Sequence, residues 1–119
     1  MMTEIKLILG YPPSTNKNWR YVGGKVLLSK EAKMYREYVA IDVVQAGNPT
    51  IDGRLGIVLR VHPPDNRERD LDNVLKALLD AIEYARVFEN DNQIDEIHVY
   101  RDGVCPNGRV RIRLWQLEK

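Results

Sequence analysis

The chain has 119 residues, 44% of them hydrophobic and 29% charged, which predicts a single domain over residues 1–119 with a modest core. No apolar run approaches the ~18 residues that span a bilayer, and one cysteine, Cys105, excludes an intrachain disulfide and suits a reducing cytoplasm. The start, Met1 to Gly10, is too charged to read as a signal peptide. The net charge of +1 hides a partition: +4 from Met1 to Arg69, −6 from Asp70 to His98, and +3 from Val99 to Lys119. An acidic middle between basic flanks suits an enzyme that holds cations against a polyanion, although solvated surface charge gives the same numbers.

In chain order, Ile5, Leu7 and Leu9 alternate as a strand, broken at Tyr11-Pro12-Pro13-Ser14. Trp19–Val22 and Lys25–Leu28 flank Gly23-Gly24, a pair suited to a hairpin turn. Ser29 is placed to cap a helix whose inner face carries Ala32, Tyr35, Val39, Val43 and Ala46, with Gly47-Asn48-Pro49 as its stop. Leu55, Ile57, Leu59 and Val61 form a second main strand, ended by Pro63-Pro64. Asp70 suits the N-cap of a second helix with Leu71, Val74, Leu75, Leu78, Leu79 and Ile82 as its apolar stripe. Ile97 and Val99, then Val110, Ile112 and Leu114, give two last strands. Strand, helix, strand in the middle predicts one parallel crossover between antiparallel ends. The fold class is α+β: a two-layer domain, a mixed sheet packed with two main helices, and an N-terminal β-hairpin.

The chemistry concentrates in Arg67-Glu68-Arg69-Asp70-Leu71-Asp72-Asn73-Val74-Leu75-Lys76 and, after the helix, Glu89-Asn90-Asp91-Asn92. Asp70, Asp72 and Asp91 are candidate Mg²⁺ ligands, with Lys76 set to offset charge near a scissile phosphate. The plain structural reading makes Asp70 and Asp72 first-turn acids at a helix dipole and Asp72–Lys76 a surface ion pair. Asn90, Asp95 and Glu96 fit solvated turn residues. Arg67 and Arg69 are placed either to grip phosphates or to neutralise neighbouring acids. Arg109, Arg111 and Arg113 share one face of the last strand with Trp115 in line, as a phosphate stripe or as a wet sheet face. His62 and His98 are isolated in sequence, and no zinc spacing, Walker loop or dinucleotide glycine pattern occurs.

These residues carry a resemblance. Tyr11 to Asn16 with Trp19-Arg20, then Arg67 to Asn73 with Lys76 and Asp80, then Asn90 to Ile94, resemble the RusA Holliday junction resolvases in order, spacing and total length. The resemblance implies a homodimeric endonuclease, often encoded by phages and prophages, that cuts four-way DNA junctions by paired nicks with Mg²⁺ (or Mn²⁺) as its cofactor. It implies Asp70, Asp72 and Asp91 as acidic catalytic positions and Lys76 as the catalytic lysine. Asn16, Arg20, Arg67, Arg69, Arg109, Arg111 and Arg113 then become the candidate DNA contacts. One departure stands out: Asn90 occupies a position that is commonly a second aspartate in the family. The basic loop before the first helix is also light, with a single Lys25 beside Gly23-Gly24.

The resulting expectation is a cytoplasmic Mg²⁺-dependent junction endonuclease acting in recombination and repair, with no membrane association and no nucleotide cofactor. Two other classes fit the bare residues: a non-catalytic nucleic-acid-binding module, and a small metal-dependent nucleotide phosphohydrolase. Chain reach permits Asp91 to return to Asp70 and Asp72 within one subunit if residues 85–90 run back almost straight along the helix, at most ~3.5 Å per residue. The favoured expectation is this one-chain site; a site shared between two subunits is the alternative.

Overall fold

Alternation along three strands becomes three apolar rows across one sheet. In a computed structural model, which describes residues 3–13, 19–22 and 25–118, β1 (Glu4–Leu9) pairs antiparallel with β6 (Arg109–Gln116). β6 pairs antiparallel with β4 (Leu55–His62), and β4 pairs parallel with β5 (Ile94–Arg101), giving the order β1-β6-β4-β5. The registers align Ile5, Leu114 and Ile57 in one row, Leu7, Ile112 and Leu59 in the next, and Leu9, Val110 and Val61 in the third. All nine are buried, because two helices cover that face. β5 extends the rows with Ile97, Val99 and Arg101, but there the cover stops: no β5 residue is buried.

The first helix, α1 (Lys30–Gln45), starts where Ser29 accepts a hydrogen bond from the Ala32 amide at 3.1 Å, as the sequence predicts. Ala32, Tyr35, Val39 and Val43 are its buried face; Ala46, expected on it, is the exposed C-cap, since the helix is already unwinding there. Gly47 and Asn48 both take positive φ, which stops the helix. The hairpin forms from β2 (Trp19–Val22) and β3 (Lys25–Leu28) as a separate two-stranded sheet. Its Gly23-Gly24 turn lies outside the described residues.

The crossover from β4 to β5 positions the site. After His62 a polar loop leads to a 3-10 turn (Leu71–Val74) and then to α2 (Leu75–Tyr84), so the second helix begins more tightly wound than the expected α-helix from Leu71. Ala77, Leu78, Ala81 and Ile82 bury its inner face. Beyond Tyr84 the chain does not run back along the helix. Val87 and Phe88 are fully buried, and Val87 accepts a backbone bond from Ile51, just ahead of β4. A second 3-10 turn (Asp91–Gln93) then leads straight into β5.

Candidate active site

The loop after β4 folds around Asp65. Its carboxylate accepts from the Arg67 amide at 3.0 Å, lies 3.3 Å from an Arg67 guanidinium nitrogen, and lies 2.7 Å from the Arg69 guanidinium. Arg69 foremost, then the Arg67 amide and guanidinium, hold the Asp65 carboxyl well below the usual carboxylate range. The two arginines are therefore not neutralised by Asp70 or Asp72; their partner is a carboxylate that the sequence pattern did not single out. Arg101, at the end of β5, donates to the Arg69 carbonyl and so ties the loop to the sheet edge. Tyr11 joins from the other side, its ring beneath the Arg69 guanidinium and against Gly108. Gly108 has φ +71°, and a Cβ there would come within 2.7 Å of Tyr11. Tyr35 fixes the approach to Tyr11 by donating to the Gly10 carbonyl at 2.8 Å.

These elements enclose an open cleft of about 970 Å³, lined among others by Tyr11, Pro12, Arg67, Arg69, Asp70 and Arg101. Asp70 sits at the N-cap with extended backbone but makes no side-chain capping bond, so its carboxylate is not spent on the helix end. Asp72 follows in the 3-10 turn and is exposed. Lys76 lies one turn on, its Nζ 3.9 Å from Asp80. The structure thus brings Asp70, Arg67 and Arg69 to one cleft, with Asp72 and Lys76 on the turn and helix that lead away from it.

It does not bring Asp91 there. The Asp91 amide donates to the Glu83 carboxylate at 2.7 Å, at the far end of α2. Gln93 grips the same turn: its side-chain oxygen accepts from the Glu89 and Asn90 amides, both at 2.9 Å, and its amide group donates to the Ile51 and Gly53 carbonyls. Asn90 closes the cap by accepting from Asn92 at 2.9 Å, so it has a structural task beyond solvation. Arg54 adds an ion pair to Asp95 and a bond to the Asn92 carbonyl. Asp91 therefore precedes the first residue of β5, whereas Asp70 neighbours Arg69, bound at the last. Eight residues of parallel strand separate those ends by roughly 23 Å at ~3.3 Å per residue. Among the described residues no group of three or more His, Cys, Asp or Glu could hold a metal ion. The one-chain site is overturned: residues 85–90 spend their length burying Val87 and Phe88, and three carboxylates of one subunit do not form a metal centre.

Arg109, Arg111 and Arg113 are all exposed on one face of β6, as their alternation predicts. Each has a partner: Arg109 with the Cys105 sulfur at 3.2 Å, Arg111 with Asp102 at 2.9 Å, and Arg113 with Glu4 at 3.7 Å while lying over the Trp115 ring. His62, isolated in sequence, is not isolated in space. Arg111 donates to its Nε2 at 3.0 Å, which requires the neutral ring with Nδ1–H donating to the Gly103 carbonyl at 2.9 Å. Of the other expected DNA contacts, Asn16 lies outside the described residues, and Arg20 is described only as part of β2. Arg101, Asp65, Glu83 and Gln93 were missed as site-shaping residues. Gln93 alone had a signal, three residues after the Asn90 cap.

A carboxylate at a helix start, ringed by arginines in an open cleft, is the equipment of an enzyme that acts on a phosphate polymer. The chain belongs to the RusA endodeoxyribonuclease family: the family model described as Endodeoxyribonuclease RusA matches residues 10–114. It is 39% identical over 118 residues to a protein of Enterobacteria phage HK97 named crossover junction endodeoxyribonuclease rusA. It is 30% identical over 118 residues to the proteins of that name from Enterobacteria phage 82 and Escherichia coli strain K12. In each case the match covers 98% of both chains. The chain is accordingly an endodeoxyribonuclease, as expected, and the non-catalytic and nucleotide-hydrolysing alternatives fall away.

Proposed function

We propose that the protein resolves four-way DNA junctions by paired, Mg²⁺-dependent nicks, working as a homodimer in the cytoplasm during recombination and repair. The observation that carries the reading is the opposition of the two acidic motifs along β5: an arginine-lined cleft with Asp70 at one end, and a rigidly pinned Asp91 at the other. One subunit supplies two of the three carboxylates at each cleft, so the third must come from a second subunit. Two such sites related by a two-fold axis are what a pair of symmetric nicks requires.

In this reading Asp70 and Asp72 of one subunit and Asp91 of the other hold the Mg²⁺, which supplies Lewis-acid stabilisation and an activated water. Lys76 offsets charge that develops on the phosphate in the transition state. Arg67 and Arg69, held side by side by Asp65, grip phosphates next to the scissile one, while Arg109, Arg111 and Arg113 on β6 track a strand farther out. Asn16 and Arg20, which follow Tyr11-Pro12-Pro13 in the sequence, are further candidate junction contacts. Duplex, flap, fork and four-way DNAs incubated with Mg²⁺ and with EDTA test the proposal. Symmetric nicks in the four-way junction only with the metal are expected; equal cutting of plain duplex would sink junction selectivity.

A further inference from the structure

We infer that the open face of the sheet, on the side away from α1 and α2, binds an unpaired DNA strand by stacking its bases on a line of aromatic rings. The inference deepens the reading of Arg109, Arg111 and Arg113 as phosphate contacts and rests on that reading. The registers set the outward residues of the four strands in three rows. Glu4, Trp115, Gly56 and Glu96 form one; Lys6, Arg113, Val58 and His98 the next; Ile8, Arg111, Arg60 and Tyr100 the third. The rows stay open to solvent, with Ile8 63% and Tyr100 45% exposed. Trp115 packs directly on the Gly56 backbone, where a Cβ would collide with the indole.

Ring spacing selects the occupant. His98 stacks on Trp115 with ring centroids 6.3 Å apart. Tyr100 lies two residues beyond His98 on the same face of β5, roughly 6.6 Å away at ~3.3 Å per residue. Bases in a duplex follow one another at ~3.4 Å along each strand. Rings at about twice that rise take successive bases only from a strand whose bases are unstacked, which favours single-stranded DNA over duplex. The cations are placed to match. Arg113 lies over the Trp115 ring and Arg60 over the Tyr100 ring, 5.1 and 4.6 Å from the centroids, so each of these stacking positions carries a guanidinium for a phosphate. Two carboxylates serve four cations here: Glu4 lies beside Lys6 and Arg113, and Asp102 beside Arg60 and Arg111. Arg109, at the Cys105 sulfur, offsets Glu96 beside His98, so the face keeps a positive surplus. An acidic protein surface would answer the charge but leaves the ring spacing unexplained.

Fluorescence of Trp115 tests the surface without reference to catalysis. The chain has two tryptophans, so Trp19→Phe leaves Trp115 as the reporter. In EDTA, an oligothymidylate of about 12 nucleotides is expected to quench its emission to saturation, while an abasic strand of equal length and a blunt duplex do not. Tyr100→Ala and His98→Ala, both at exposed positions, are each expected to weaken oligothymidylate binding about 5–100-fold, the range for losing one base–aromatic stack, with unchanged far-ultraviolet spectra. Equal quenching by the abasic strand or the duplex, equal binding of polyglutamate, or wild-type affinity in both variants would overturn the inference. Strand binding here needs no metal, so the two readings fail separately. Junctions nicked by a chain whose Trp115 is not quenched sink this inference alone; a quench without Mg²⁺-dependent nicking sinks the catalytic reading alone.

Discussion

The two ends of β5 carry the same kind of residue under opposite conditions. At the Asp70 end the carboxylate stands in an open cleft among three guanidinium groups, and the surrounding loop is held by ion pairs. At the Asp91 end, neutral hydrogen bonds through Gln93 and Asn90 lock the backbone of a short turn, with Glu83 and Arg54 bracing it. One end is an open cleft lined by arginines. The other holds Asp91 on a short braced turn, with no ion pair to its carboxylate among the described residues. A site that needs both ends cannot be completed by a chain that keeps them roughly 23 Å apart along a strand.

The sharpest way to break this contrast is to remove one carboxylate from each end in different subunits. Asp70→Asn, Asp72→Asn and Asp91→Asn are each expected to abolish nicking while leaving junction binding largely intact. An equal mixture of Asp70→Asn and Asp91→Asn chains is expected to regain about a quarter of the wild-type sites, because half the dimers are mixed and each has one intact site. The regained activity should be single nicks rather than paired ones. No recovery in a mixture shown to exchange subunits would return Asp91 to its own chain.

Lys76→Ala probes the Asp70 end alone. A group that acts in the transition state should lower turnover by roughly 10²–10³-fold with much less change in junction affinity. Equal losses in both would reduce Lys76 to a phosphate anchor.

Gln93→Ala probes the Asp91 end alone. The side chain satisfies two amides and two carbonyls, and its loss loosens the turn that aims Asp91. Half-maximal nicking should then need about 10–100-fold more Mg²⁺, the scale for losing a group that orients a metal ligand. Junction affinity in EDTA should stay unchanged; a parallel loss of affinity would assign Gln93 to DNA contact instead.

The smallest effect concerns Asp65. Arg69 and Arg67 depress its carboxyl, so the clamp stabilises the fold above its ordinary value of 3.8 and fades as pH falls from there toward the depressed folded value. Asp65→Asn should lower the melting temperature slightly at pH 7, with the gap narrowing at pH 3. A gap of equal size at both pH values would show that the ion pairs to the arginines contribute nothing.

Binary alternation was enough to set β1, β4 and β6, since inward residues at every second position have only one way to reach the core. Ser29, the helix stop at Gly47 and the parallel crossover were legible for similarly local reasons: a cap, a left-handed residue, and a helix between two strands. The acidic motifs were legible as chemistry because Asp70, Asp72, Lys76 and Asp91 stand out by type and spacing. What they do together was not. Asp65 and Arg101 look like ordinary surface charges until the loop and the end of β5 meet, and Val87 and Phe88 form too short an apolar run to announce a buried plug. Reach along the chain permitted Asp91 to return to Asp70; packing forbade it, because residues 85–90 lower the free energy more by burying two side chains beside β4 than by running exposed along α2. The sequence by itself therefore determined the elements and the reactive residues, which depend on neighbours a few positions away. Only the tertiary structure decided that one chain holds its two acidic motifs apart, because that depends on where non-local contacts send the chain between them.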